Sequence, residues 1–230
     1  AYTQNIVCKY YTEKVLIHGD PNYLPLVSDR VRMNNPSEVI QHLSDKIIYT
    51  GYVCNEKIKP HKKTNNNIFV STGLNKEEGM LIFKEITKIA DQFPEYKFIM
   101  PIANRYLKNI KTKTKNNVVM VPYIKDMYKL LSSCALYITY GGYNSTMEIF
   151  KSNIPAIIIP RTDGEKLEQF VRAYTFESYN FFKVVSKSEF IKLPKVINEC
   201  LTDKKFPIKN NINLQGVKRS ADAIREIYLK

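Results

Sequence analysis

Short apolar runs alternate with amphipathic segments over most of the chain after residue 67, and this alternation limits the possible folds more than any other feature. An apolar strand predicted over 68–71 is followed by an amphipathic helix predicted over 76–93. Further strands are predicted over 97–100, 118–121, 135–139, 156–159 and 181–185, and further helices over 125–133, 143–151, 165–178, 187–201 and 215–229. Continuous apolar strands joined through helices predict a parallel sheet with both faces covered. We therefore expect an α/β fold with a doubly wound parallel sheet.

Composition narrows the class of protein. The 230 residues are 44% hydrophobic and 25% charged, which is typical of a globular chain and excludes disorder as the main state. The longest apolar runs are far shorter than the ~20 residues of a membrane-spanning helix. The amino terminus shows no basic segment followed by an apolar one, so we expect no secretory signal and a cytoplasmic location.

Four widely spaced cysteines without a CxxC pair indicate reduced thiols rather than a disulfide framework or a zinc site: Cys8, Cys54, Cys134 and Cys200.

The chain is strongly basic, with 35 lysines and arginines against 22 acidic residues and a net charge of +13. Such an excess is typical of proteins that bind nucleic acid, an anionic membrane surface or an anionic small ligand, and equally of a generic solvated surface. The stretches rich in Lys and Asn over 57–67 and 105–117 lack the interleaved aromatic side chains of a single-strand binding groove. We interpret them as solvated loops, expect no nucleic-acid partner, and take 57–67 as the best linker candidate.

Ligands of a doubly wound sheet bind outside the carboxyl ends of its strands, which makes the segment over 141–148 (GGYNSTME) the most informative in the chain. Two glycines at a strand-to-helix turn let the backbone approach a ligand closely, and the start of the following helix attracts a phosphate. Glu148 lies one turn into that helix, where its carboxylate can accept hydrogen bonds from ribose hydroxyls. The alternative is a simple tight turn in which Asn144 or Ser145 caps the helix.

The stretch over 138–172 resembles the C-terminal, nucleotide-sugar-binding half of a GT-B glycosyltransferase of the MurG-like family 28. The family pattern is a GG turn, a helix start rich in Asn and Thr with a Glu inside it, a strand ending in Pro, and an acidic or amide pair before an Ala-containing helix. This sequence supplies each part in that order. The segments HGDP (18–21) and YTGYV (49–53) resemble a group of predicted bacterial and archaeal glycosyltransferases. The resemblance covers nearly the whole chain, strongly over 135–175 and loosely elsewhere.

The resemblance implies a Rossmann-like GT-B C-terminal domain over 61–230, preceded by a short remnant of the N-terminal half with its linker over 1–60. Carried over position by position, it also implies a site for a UDP-sugar. Glu148 is implied to hold the ribose, and the backbone at Ile124 to recognise the edge of the base, usually uracil. The residues implied to surround or border the diphosphate are Ser71, Thr72, Gly73, Gly141, Gly142, Asn144, Ser145 and Thr146.

Two further positions follow from the resemblance, each with an alternative. Glu168 and Gln169 match the pair that contacts the donor-sugar hydroxyls, and otherwise form an exposed helix face. Arg161 matches a position where a cation offsets charge on the leaving diphosphate, and otherwise pairs locally with Asp163.

The implied activity is that of a hexosyltransferase-type glycosyltransferase, in which the UDP-sugar is the donor substrate and no cofactor is required. The sequence contains no DxD motif, so we expect metal independence, with a helix dipole and backbone N–H groups stabilising the departing diphosphate. The catalytic base of the family normally comes from the N-terminal half, of which the chain holds only the tail. We therefore expect an N-terminal acceptor domain or a separate subunit as partner, without which the chain would be inactive alone. His18, beside Asp20, is the candidate base or acceptor-side group, against a structural role in the turn.

Two alternative functions remain beside the transfer of a sugar. GT-B folds also serve nucleotide-sugar hydrolases and epimerases. The same site would suit a non-catalytic subunit that binds a sugar nucleotide or a partner. The basic surface also fits peripheral contact with an anionic membrane.

Overall fold

The computed structural model describes residues 12–23, 46–63, 65–71, 77–102, 116–161 and 167–229, with the backbone alone described at 77, 78, 167 and 168. The chain divides into two compact units. One comprises Ala1–Cys54 and Asn211–Lys230, and the other comprises Asn55–Asn210. The boundary at residue 60 inferred from the family resemblance concerns the two halves of a GT-B enzyme and stays a prediction.

The described strands and helices are as follows, in chain order. The strands are β1 (Val15–Ile17), β2 (Ile47–Tyr49), β3 (Asn67–Ser71), β4 (Lys97–Pro101), β5 (Val118–Val121), β6 (Leu136–Thr139), β7 (Ala156–Ile158) and β8 (Lys183–Val184). The α-helices are α1 (Glu77–Ile89), α2 (Met127–Ser133), α3 (Tyr143–Ser152), α4 (Leu167–Glu177), α5 (Leu193–Thr202) and α6 (Gly216–Tyr228). Short 3-10 turns span Pro21–Tyr23, Ala90–Gln92 and Lys187–Lys192.

The larger unit is built on a six-stranded sheet in the order β5-β4-β3-β6-β7-β8, and every neighbouring pair in it is parallel. The chain starts at β3, moves outward to β4 and β5, and then returns to the other side of β3 with β6. The order therefore reverses between β3 and β6, which confirms the predicted doubly wound parallel sheet. In this architecture the crevice at the reversal is where ligands bind.

Alternate residues of the central strands pack against different layers of helices. Ile68, Val70 and Ile138 are buried in one core cluster with residues of α1 and α5. On the opposite face of the sheet, Phe69 of β3 stacks on Tyr137 of β6, with ring centroids 5.1 Å apart. Because side chains alternate between faces along a strand, residues 69, 71, 137 and 139 share this second face. It is the face that meets α3, because Tyr137 approaches Glu148.

The smaller unit pairs β1 with β2 in parallel, with Val15 opposite Ile47. The turn after β1 is held by Asp20, whose side chain accepts hydrogen bonds from the backbone N–H groups of Asn22 (3.0 Å) and Asn213 (2.8 Å). The segment before α6 also pairs with the segment after β2, since Tyr52 N donates to Asn213 O at 2.7 Å. The HGDP and YTGYV segments and the start of the last helix thus form one hydrogen-bonded cluster.

The Lys- and Asn-rich stretch after residue 57 differs from the solvated linker expected for it. Its backbone is fixed within the larger unit, because His61 N donates to Ser152 O at 2.6 Å and Lys62 N donates to Ser132 O at 2.8 Å. The His61 ring bonds Cys134 O at 2.7 Å, and Ile58 is buried. Of the second Lys- and Asn-rich stretch, over 105–117, residues 105–115 lie outside the described part of the chain. Along the described parts of the chain, no helix is long and apolar enough to cross a bilayer.

We predict that Gly216→Ala destabilises the smaller unit. A Cβ at this position would lie 2.6 Å from Gly51 O and 2.7 Å from Tyr52 O, and backbone atoms cannot move aside cheaply. Overpacking of this kind costs about 1–3 kcal/mol, partly offset by the better helix propensity of Ala. Chemical denaturation monitored on α6 by hydrogen exchange measures the loss. Gly142→Ala is the matched control, because a Cβ there meets nothing within 4 Å, and equal effects of the two changes would contradict the prediction.

Candidate functional site

The candidate site lies where β3 and β6 end side by side. The two strands are in register up to Ser71 opposite Thr139, so both chains leave the sheet at the same edge. The chain continues from β6 through Tyr140 and the two glycines into α3. Thr72 and Gly73, predicted to border the diphosphate, lie outside the described residues.

Gly141 is required by the turn between β6 and α3. Its φ is +68°, a conformation that side-chain-bearing residues rarely adopt. A Cβ there would also lie 2.6 Å from Cγ2 of Ile158 on the neighbouring strand. The glycine therefore brings the start of α3 close against β7.

Gly142 is the N-cap residue of α3, and no side chain caps the helix. The alternative in which Asn144 or Ser145 caps the helix is therefore wrong. A helix leaves its first N–H groups without intrahelical acceptors, and the space above Gly142 is open, so these donors face a place where an anion fits. The hydroxyl of Thr146 points the other way, donating to Gly142 O (3.0 Å) and Gly141 O (3.2 Å). The Thr146 side chain therefore stabilises the turn. A ligand at the start of α3 would contact the neighbouring residues rather than this hydroxyl.

Glu148 lies half-buried on α3 beside Tyr137 of β6. The Tyr137 hydroxyl donates to Oε2 of Glu148 at 3.5 Å. Burial raises the pKa of Glu148 to about 7, and the hydrogen bond from Tyr137 acts in the opposite direction. Burial also raises the pKa of Tyr137 to about 12, so this phenol keeps its proton at neutral pH. The side chains of Ser145, Thr139 and Ser71 lie around the same phenol and act to lower the pKa of Tyr137. The structure thus brings together three of the predicted residues, Ser71, Ser145 and Glu148, around a tyrosine that the sequence analysis did not select.

Two arginines flank the start of α3 through aromatic contacts. The guanidinium of Arg161 lies 4.3 Å from the ring centroid of Tyr140, directly before the glycine pair. Its Nε is buried and has no hydrogen-bond partner among the described residues. The guanidinium of Arg172 lies 5.9 Å from the ring centroid of Tyr143, the first residue of α3. Asp163, the alternative partner of Arg161, lies outside the described residues.

The remaining predicted residues occupy positions along the same edge of the sheet. Ile124 follows β5 in the loop before α2, next to Tyr123, whose side chain is 76% exposed. Gln169 lies in the first turn of α4, and its Oε1 is buried without a hydrogen-bond partner among the described residues. This does not fit a fully exposed helix face for Gln169. The backbone of Glu168 is helical, and its side chain is outside the described set.

His18 lies in the smaller unit, where its ring Nδ1 is 3.0 Å from Oγ1 of the buried Thr50. This contact suits the structural role in the turn that the sequence analysis weighed against catalysis. Asp20 beside it is 3% exposed and committed to backbone N–H groups. Among the described side chains, no three His, Cys, Asp or Glu residues are grouped so that they could hold a metal ion.

Sequence reasoning missed the aromatic side chains of the site. Tyr137 has the pattern of a plain apolar strand residue, and its partner Glu148 is eleven positions away. Tyr140 and Tyr143 flank the glycine pair, and their proximity to Arg161 and Arg172 depends on tertiary packing. The available signal in the sequence was the YGGY motif over 140–143, in which a tyrosine stands on each side of the two glycines.

Comparison with known proteins gives a consistent result. The family model of the glycosyltransferase family 28 C-terminal domain matches residues 53–227. An "Uncharacterized UDP-glucosyltransferase YojK" of Bacillus subtilis (strain 168) is 28% identical over 173 residues, 70% of this chain and 40% of that protein. A "UDP-N-acetylglucosamine--N-acetylmuramyl-(pentapeptide) pyrophosphoryl-undecaprenol N-acetylglucosamine transferase" of Carboxydothermus hydrogenoformans is 34% identical over 89 residues, 37% of this chain and 24% of that protein.

Solved structures show the same fold. The crystal structure of the glycotransferase of kitacinnamycin superimposes with a TM-score of 0.67 at 14% identity, covering 93% of this chain and 54% of that one. At this identity the likeness concerns the fold, which is that of GT-B glycosyltransferases. The chain spans about half the length of that structure and 40% or less of the two relatives above.

We predict that Glu148→Gln removes a pH-dependent loss of stability. The unfolded carboxyl has its ordinary pKa of 4.5 and the folded one about 7, so the folded state binds the proton more tightly. Stability from this group is therefore greatest at low pH and falls as the pH rises from about 4.5 to 7. Allowing for its partial exposure, the loss is about 1–3 kcal/mol.

Urea denaturation at pH 5 and pH 8 measures this effect. The Glu148→Gln variant is expected to lose less stability between the two than the unaltered chain does. Glu95→Gln, which changes an exposed carboxylate, is the control and should leave the difference unchanged. If the unaltered chain and the Glu148→Gln variant respond to pH identically, the folded carboxyl titrates normally.

Proposed function

The chain belongs to the glycosyltransferase family 28 C-terminal domain family, and from this premise we propose that it is the donor-binding half of a glycosyltransferase that uses a UDP-sugar. The observation that carries the proposal is the meeting of two features at the reversal of the sheet. The start of α3 is capped by Gly142 with open space above it, and the half-buried carboxylate of Glu148 lies one turn further on. The helix start suits a diphosphate, and the carboxylate suits a ribose.

The diphosphate subsite is proposed at the start of α3. Backbone N–H groups at a helix start donate to phosphate oxygens, and the helix dipole favours negative charge there. Arg161 adds a positive charge beside the glycine pair, and its buried Nε has a donor to offer. These groups favour the diphosphate most when its charge grows, as the bond to the sugar breaks. They supply this stabilisation without a metal ion, which is why metal independence is part of the proposal.

The ribose and base subsites follow along the same edge. An ionised Glu148 can accept two hydroxyl hydrogen bonds, and a carboxylate in a partly desolvated position forms stronger ones than in water. The backbone at Ile124 is proposed to recognise the base edge. The name of the Bacillus subtilis relative, a UDP-glucosyltransferase, supports uracil as the base and a hexose as the transferred sugar.

The sugar is proposed to lie against the first turn of α4. The buried Oε1 of Gln169 lacks a donor among the described residues, and a sugar hydroxyl would supply one. An unsatisfied buried acceptor costs about 1–3 kcal/mol, so a ligand that satisfies it gains affinity. Glu168 is assigned to the same subsite from its position in the family pattern.

The acceptor and the catalytic base are proposed to come from a second half, whether in the same polypeptide or in a separate subunit. The base accepts the proton of the acceptor hydroxyl as that oxygen attacks the anomeric carbon, and the nucleoside diphosphate leaves from the opposite side. His18 is retained as a candidate at the acceptor side. The net charge of +13 supports a peripheral contact with an anionic membrane during the reaction.

We expect the chain to bind UDP in a calorimetric titration, and more weakly GDP and dTDP. Glu148→Ala should weaken UDP binding by about 1–3 kcal/mol, because charge-assisted hydrogen bonds to the ribose are lost. Gly142→Ala should weaken it at least about tenfold by placing a methyl group in the phosphate position, although the fold tolerates this methyl.

Deoxyuridine diphosphate, which lacks the ribose 2′-hydroxyl, is the matched ligand control: Glu148→Ala should affect its binding less than that of UDP. A chain that binds none of the three nucleotides, or whose UDP affinity survives both substitutions, does not have the proposed site.

The sugar subsite makes a separate prediction. Glu168→Ala and Gln169→Ala should reduce the preference for a UDP-hexose over plain UDP while leaving the affinity for UDP nearly intact, because the two side chains are assigned to the sugar alone. Titrations of each variant with UDP, UDP-glucose and UDP-N-acetylglucosamine measure the preference. Loss of UDP affinity itself would assign these residues to the nucleotide rather than to the sugar.

A further inference from the structure

The Tyr137 side chain is the least expected component of the site. It is fully buried, although it ends in a hydroxyl and lies in the centre of a strand whose other side chains are apolar or small. Its ring is fixed by stacking on Phe69, the residue directly opposite it on β3, at 5.1 Å and an interplanar angle of 10°. A buried phenol must find partners for its O–H, since leaving it unpaired is costly. All the partners it finds belong to the end of the sheet and the start of α3.

These partners arrive from three elements. Ser71 ends β3, Thr139 ends β6 directly opposite it, and Ser145 lies in the first turn of α3. These three side chains lie around the phenol and favour its ionised form, and the phenol oxygen lies 3.5 Å from Oε2 of Glu148, to which it donates. Ser145 and Glu148 are three positions apart and therefore lie on one face of α3. The tyrosine thus connects the strand ends to the helix at the point where the donor is proposed to bind.

We propose that Tyr137 is a positioning residue of the donor site, whose hydroxyl holds one carboxylate oxygen of Glu148 so that the other is presented to the ribose. This inference rests on the proposed function. A glutamate side chain has three rotatable bonds, and fixing one oxygen removes much of that freedom before the nucleotide arrives. A donated hydrogen bond also favours the ionised carboxylate, which is the form that accepts from ribose hydroxyls.

The surroundings of Glu148 make this contact measurable. The charged or titratable side chains described on α3 and on the elements packed against it include Tyr143, Lys151, His61, Asp126, Tyr128, Lys129, Arg172, Tyr174 and Glu177. The pKa of Glu148 nevertheless depends on burial first and on the hydrogen bond from Tyr137 second. Removing the phenol oxygen should therefore shift the titration of Glu148, whereas removing a side chain that only packs should not.

The test is Tyr137→Phe, which keeps the ring and its stacking on Phe69. In the ligand-free chain, 13C NMR titration of the glutamate carboxyls, with Glu148→Gln to assign the resonance, should show the pKa of Glu148 higher by about 0.5 to 1 unit. UDP affinity should fall about three- to tenfold at pH 6.5, and its pH midpoint should move upward by the same shift. Tyr52→Phe, which removes the hydroxyl of another buried tyrosine, is the matched control and should change neither quantity.

A double-mutant cycle separates positioning from packing. If Tyr137 acts through the carboxylate, Tyr137→Phe should have no further effect on UDP affinity in a Glu148→Ala background. Additive losses in the cycle, or an unchanged pKa of Glu148 in a chain that binds UDP, overturn the positioning role and leave the proposed function intact. Absence of UDP binding by the unaltered chain overturns both. If Tyr137→Phe does not fold, Ser145→Ala, which removes one hydroxyl facing the phenol oxygen, provides the second variant for the same titration.

Discussion

The parallel pairing of β3 with β6 is the constraint on which the rest of the site depends. Because these strands run in the same direction and in register from Ile68 opposite Leu136 to Ser71 opposite Thr139, both chains leave the sheet at one edge. The path from β5 back to β6 makes this pair the reversal of the sheet, the place where a crevice forms in doubly wound folds. The turn into α3 then follows β6 directly. A positive φ at Gly141 and the absence of a Cβ bring that helix against Ile158 of β7.

The electrostatics of the site balance two opposite demands. A helix start and two arginines attract negative charge, while Glu148 places a negative charge of its own one turn away. Burial lifts the pKa of this carboxyl to about 7, so near neutral pH the protein holds it between its two forms. A ligand with hydroxyls for the carboxylate and phosphates for the helix start satisfies both demands, whereas inorganic phosphate satisfies one. Keeping this carboxyl half-buried costs stability as the pH rises, because the folded state binds its proton more tightly than the unfolded state does.

The sequence predicts the elements well because hydrophobic periodicity reports burial directly. The six strands of the large sheet and five of the helices after residue 67 are confirmed within a few residues. The helix predicted over 187–201 is divided, because Pro194 lacks an N–H and fits only in a first turn, so α5 begins at Leu193 after a 3-10 segment. The site is predictable to the extent that it follows strand ends, as at Gly141 and Glu148. Tyr137 is not, because its hydroxyl acts through partners on β3 and α3 that only the tertiary fold brings together.

The boundaries of the family domain and those of the compact units differ, and the difference has a physical basis. The family model spans 53–227, yet residues from 211 onward group with the segment that ends at Cys54. Within that smaller unit, Asp20 accepts from Asn213 N, and Gly216 lies against the backbone at Gly51 and Tyr52 with no room for a Cβ. The sequence match to the family domain therefore includes nearly all of helix α6, whereas the contacts of this helix group it with β1 and β2. A truncation that kept 61–230 alone would remove the backbone at Gly51 and Tyr52, against which Gly216 packs at the start of α6.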